Sequence, residues 1–143
     1  MGSPNSLETA RRLLAREAVK GGNGKPAVVG AALQRTVARM SETLRDSMGE
    51  DGRNALLVRA LARTEADHPA LKKIVALNED GIQLQGVAAS VEAHGVAAVI
   101  EAIEALLAAV VDVLGRLIGE DMAIQIMDHD APQSRKGGGA KAP

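Results

Sequence analysis

The chain has 143 residues, 17 Lys plus Arg against 18 Asp plus Glu, a net charge of −1, and no Cys, Phe, Tyr or Trp. That length fits one domain with its own core, which must here be built from aliphatic side chains alone. The same counts exclude disulfides, thiolate metal sites, cysteine nucleophiles and aromatic platforms for stacking bases, and the near-neutral balance supplies no global field for nucleic acid or anionic lipid.

The N-terminal segment "MGSPNSLETARR" lacks the ~7–15-residue apolar run of a signal peptide. Leu7, Ala10, Leu13, Leu14 and Ala18 then recur at helical spacing and predict a first helix from Ser6 to Val19, with the Ser6 hydroxyl as N-cap. "KGGNGKP" at 20–26 interrupts it. A phosphate-binding loop needs G-x-x-x-x-G-K-[ST] between a strand and a helix, whereas here Val19 occupies the leading position and Pro26 the metal-binding hydroxyl's place. The segment therefore reads as a helix–helix joint, with Pro26 in the first turn of the next helix.

Val29, Leu33, Val37, Met40, Leu44 and Met48 mark one face of a second helix from Pro26 to Met48. "GEDG" at 49–52 predicts a break, and "RNALLVRALARTEAD" a third helix packing through Leu56, Leu57, Ala60 and Leu61. Arg35, Arg39, Arg45, Arg53, Arg59 and Arg63 give these two helices a basic region interleaved with Glu42, Asp46 and Glu65. A helix-turn-helix would place such residues on DNA, but the mixed charges favour a solvated face, and no nucleic-acid partner is expected. His68-Pro69 ends the third helix, and "PALKKIVAL" reads as a short fourth one closed by turn residues 78–81. "GIQLQG" alternates too briefly to promise a sheet and reads as an extended connector.

After "VAASVEAHG" a long helix is predicted from Val96 to Met127. Val96, Ile100, Ile103, Leu107, Val110, Leu114 and Leu117 alternate spacings of four and three, the 3.5-residue period of a packing seam. Val99, Leu106, Val111, Val113 and Ile118 widen that face, while Ala98, Ala105, Ala108 and Ala109 keep much of the remainder small. Glu101, Glu104, Asp112 and Arg116 interrupt the apolar run, so it reads as a core helix and not as a membrane span. The last segment, "DHDAPQSRKGGGAKAP" at 128–143, has no apolar period and reads as a flexible basic tail.

The expected fold is all-α, a bundle of four or five helices around the long C-terminal one, with residues 1–128 as the domain and 129–143 as the tail. His68, His94 and His129 lack the i, i+4 pairing of helical zinc ligands, no Glu-x-x-His motif accompanies Glu101 and Glu104, and no G-x-S-x-G elbow occurs. Neither a metal, a cofactor nor a catalytic residue is therefore expected, and the chain reads as a non-enzymatic regulatory or sensor module of the cytoplasm. The seven seam residues, Val96 to Leu117, are the expected homodimer or protein-partner interface, because the face exceeds what short helices readily cover. Glu101 and Glu104 are the candidates for ligand contact or proton sensing. The alternative is a small-molecule sensor with an aliphatic pocket between the second, third and long helices, and behind it a carboxylate-metal bundle enzyme.

Overall fold

The computed structural model describes residues 4–16, 26–69, 71–78 and 81–128. The glycine joint at 20–25 and the tail at 129–143, including His129, lie outside the described residues. Helices dominate: α1 (Pro4–Arg16), α2 (Pro26–Glu65), α3 (Leu71–Ile74), α4 (Val87–His94), α5 (Val96–Ile118) and α6 (Glu120–Asp128) are joined by one small antiparallel hairpin of β1 (Val75–Asn78) and β2 (Gly81–Leu84), which packs on α2. Among the described residues no helix is long and apolar enough to cross a membrane.

The central element is α5, which packs against α1, α2, α4 and α6. Ile103, Leu106, Leu107, Val110 and Leu114 are wholly buried, and Val99, Val111 and Val113 nearly so. Covering each such side chain is worth about 1.5–3 kcal/mol, so this helix anchors the fold. With no aromatic ring to span gaps, the core closes by interdigitating Leu, Ile, Val and Met, for example Leu33, Val37, Met40 and Leu44 of α2.

Four expectations need correction. Ser6 is no N-cap: α1 begins at Pro4, whose fixed φ suits a first helical turn, and Ser6 is buried inside the helix. The break expected at 49–52 shrinks to one residue, because only Gly49 leaves helical dihedrals (φ 81, ψ 173), which makes the second and third helices two arms of a kinked α2. That single-residue kink replaces the ~3–4-residue turn a helix-turn-helix requires.

Third, the short fourth helix stops at Ile74, and the rest of "PALKKIVAL" pairs with "GIQL" as a hairpin in the register Val75↔Leu84, Ala76↔Gln83, Leu77↔Ile82 and Asn78↔Gly81. Tertiary context decides this: Val75, Leu77, Ile82 and Leu84 share one face turned to the core, and the Leu84 N–H donates to Gln34 Oε1 of α2 at 2.8 Å. Gly81 is required on two counts, its φ of +115° and a Cβ position only 2.5 Å from Ser41 Oγ. Finally, the long helix ends at Ile118 and not at Met127. Gly119, at φ 98, redirects the chain into α6, whose Ala123 and Met127 return to the core.

Threonine hydroxyls inside the helices are satisfied locally. Thr9, Thr36, Thr43 and Thr64 each donate their hydroxyl to the carbonyl four residues back, at 2.7–3.0 Å.

Candidate ligand-binding clefts

The expected interface seam is largely interior. Ile103, Leu107, Val110 and Leu114 are completely covered within one chain, Val96 and Ile100 are half-buried against the core, and Leu117 alone stands out, 61% exposed. The premise that the face exceeds what the subunit's helices can cover is thus overturned, because α1, α2, α4 and α6 all pack on α5. Kinked α2 supplies a longer apolar face than two separate short helices would.

Glu101 and Glu104, three residues apart, serve different neighbours. Glu104 accepts from Arg11 Nε of α1 at 3.0 Å and is 18% exposed, so it fastens the first helix to the fifth. Glu101 is exposed and borders a cleft. The basic region is equally divided: Arg35, Arg45 and Arg59 face solvent, Arg53 is almost fully buried and donates to Asn54 Oδ1 at 3.1 Å, and Arg63 reaches across to α5.

Two clefts open on either side of the turn that follows α2. The first, about 230 Å³, lies between α1, the end of α2 and α5. Leu7 forms one apolar wall and Ala105, Ala108 and Ala109 another; the cleft exists because these three α5 positions carry methyl groups where longer side chains would fill it. Its polar rim consists of Arg63, Thr64, Asp67 and His68. Backbone N–H groups of Asp67 and His68 both bond the Thr64 carbonyl, at 3.0 and 2.9 Å, which fixes the turn against the end of α2.

Arg63 gives this cleft its electrostatic character. Its Nη2 donates to Asp112 Oδ2 at 2.9 Å, while Arg116 Nη2 approaches the same oxygen at 3.9 Å, so one carboxylate serves two guanidinium groups. Nη1 of Arg63 is closed to solvent and has no hydrogen-bond partner among the described residues. Sequence reasoning placed Arg63 on a solvated face; its pairing with a residue 49 positions away leaves no local signature. The alanines were legible as small surface, without any sign that a cleft would form over them.

The second cleft, about 190 Å³, has a floor of Ile74, Ala98, Val99 and Ala102 and a rim of Asp67, His68, His94 and Glu101. Although two imidazoles and two carboxylates border it, among the described residues no three His, Cys, Asp or Glu side chains gather closely enough to hold a metal ion. In comparisons with known proteins, no protein family, no curated protein and no solved structure matches the chain.

Proposed function

We propose that this chain is a non-enzymatic helical sensor module of the cytoplasm, binding a small apolar ligand in the cleft between α1, α2 and α5. The observation that carries the reading is the combination of an alanine-lined hollow with polar groups gathered at one rim, the usual composition of a small-molecule site. At about 230 Å³ the space suits a fragment-sized molecule, below the ~300–1,000 Å³ of drug-sized sites. No activated nucleophile is needed for this role, and the Thr64 hydroxyl is already committed to the Ala60 carbonyl. A ligand seated against Leu7 would tighten the docking of α1, which Arg11 ties to Glu104 of α5, and a protein partner would read that helix.

Alanine-methyl NMR on the full chain, titrated with hexanoate, hexan-1-ol and hexylamine, tests the reading directly. Ligand entry shifts the methyl signals of Ala105, Ala108 and Ala109, and raises the thermal midpoint, since a ligand preferring the native state must stabilise it. At 100 times Kd the gain is about 2.7 kcal/mol, or roughly 5–10 °C for a domain of this size. Absence of shifts with all three compounds, in a chain shown folded by circular dichroism, would defeat it.

Self-association is the second reading, moved from the buried seam to the corner where Leu117, Ile118 and Met122 are 61, 44 and 51% exposed around Gly119. A second copy is the occupant to test, because the patch continues the α5 seam beyond the subunit's own cover. Light scattering on wild type and Leu117→Asp decides it: a dimer converted to a folded monomer supports the reading, and a wild-type monomer removes it.

A further inference from the structure

We propose that the Arg63 cleft selects a short-chain amphiphile with a carboxylate head, received by the Arg63 guanidinium. The inference rests on the ligand-binding reading above and adds the ligand's chemistry to it.

Arg63 offers a planar, permanently charged set of five N–H donors. Asp112 takes Nη2 at 2.9 Å and thereby holds the side chain over α5, while Arg116, at 3.9 Å, gives that carboxylate a second cation and so reduces its claim on Arg63. What remains is Nη1, shut away from solvent and without a partner among the described residues, although the side chain as a whole is 31% exposed and lines the cleft. A buried donor left unpaired is destabilising, so an acceptor arriving from the cleft removes an existing penalty. Because Arg63 itself lines the cleft, its guanidinium is the cation that a head group entering there meets.

The nature of that acceptor follows from charge. A carboxylate bonds a guanidinium about twice as strongly as a neutral carbonyl or hydroxyl does, and with two oxygens matches its fork. The Asp67 carboxylate also lies on the rim, but it is exposed, where water and salt weaken its repulsion. Beyond the head, the walls are Leu7 and the methyl groups of Ala105, Ala108 and Ala109, which offer nothing but apolar contact. The body of the ligand is therefore a short hydrocarbon, and the small volume limits its length.

The test is calorimetric titration of the full chain with four compounds sharing one tail: hexanoate, hexanamide, hexan-1-ol and hexylamine. Hexanoate is expected to bind roughly tenfold more tightly than hexan-1-ol, the factor equivalent to about 1.4 kcal/mol, with the difference shrinking as salt is added. Arg63→Met should bring hexanoate down to the affinity of hexan-1-ol and leave hexan-1-ol itself unchanged; Arg63→Lys, keeping the charge, should retain part of the preference. Ala105→Leu, which fills the cleft without touching Arg63, should abolish binding of both. If hexylamine binds best, or all four bind alike, the carboxylate assignment falls while the ligand-binding reading stands. When none binds to wild type, both fall. Should Arg63→Met fail to fold, the wild-type series and Arg63→Lys decide the matter alone.

Discussion

Truncation of Leu107 separates a subunit core from a subunit interface. The side chain is wholly buried in the midst of α5, and Leu107→Ala removes about three hydrocarbon groups at ~0.8 kcal/mol each, so transfer alone costs ~2.4 kcal/mol. The cavity left behind adds to this, and total losses for such changes run to about 2–5 kcal/mol. With a urea dependence of roughly 1–3 kcal/mol per molar, the unfolding midpoint should fall by about 2–5 M at the low end of that slope and by roughly 0.7–1.7 M at the high end. Leu117→Ala, one residue from the end of the same helix and largely exposed, should change stability by less than about 0.5 kcal/mol. The assay is equilibrium urea unfolding followed by far-UV circular dichroism, since the chain has no aromatic fluorophore. Each variant is measured at two protein concentrations a hundredfold apart. A core residue gives a midpoint independent of concentration, whereas an interface residue gives one that moves with it. A loss below 1 kcal/mol for Leu107→Ala, or a concentration-dependent wild-type midpoint abolished by that change, would refute the placement of this seam inside one subunit.

Gly81→Ala should destabilise the chain by about 1–3 kcal/mol, from left-handed strain together with the close approach of Ser41, and hydrogen exchange should quicken first in the hairpin. Gly119→Ala meets the same backbone objection at φ 98 with no neighbour in the way, so a smaller loss of roughly 1 kcal/mol or more is expected, with faster exchange in α6. The Arg11–Glu104 pair joins an exposed guanidinium to a largely covered carboxylate, and a double-mutant cycle should return no more than about 1 kcal/mol. A coupling well above that would mean the pair is better sheltered than its exposure indicates.

The helical plan was legible because it is written in periodicity. The 3.5-residue spacing from Val96 to Leu117 identified the central helix, and Val29, Leu33, Val37, Met40, Leu44 and Met48, read as one face of α2, are all buried or half-buried. Where the reading failed, the deciding physics was non-local. "KKIVAL" is locally compatible with a helix, and its end becomes part of a hairpin because α2 offers Gln34 and an apolar surface to the returning strand. Ser6 resembled a cap through its hydroxyl, yet Pro4 two residues earlier already set the helical φ. A glycine within an apolar run can be tolerated or can turn the chain, and at 119 the docking of Ala123 and Met127 settles which. The site was harder still. An aliphatic pocket bordered by the long helix could be expected from composition, but Leu7, Arg63 and the three alanines are brought together only by tertiary packing, from three separate helices. Arg63 looked like five other arginines on α2.

The bond between Arg11 and Glu104 links positions 93 residues apart, and it sets an order of events as well as a geometry. At ribosomal speeds of about 5–20 residues per second, α1 exists for roughly 5–20 s before the segment it packs on has been made. During that interval its apolar face, with Ala10, Leu13 and Leu14, has no native cover on α5. Closing so long a loop also comes late entropically, after α5 has gathered its nearer neighbours. The cleft, which needs Leu7 of α1 as a wall, accordingly cannot exist until that helix has docked, and it vanishes whenever the helix lets go.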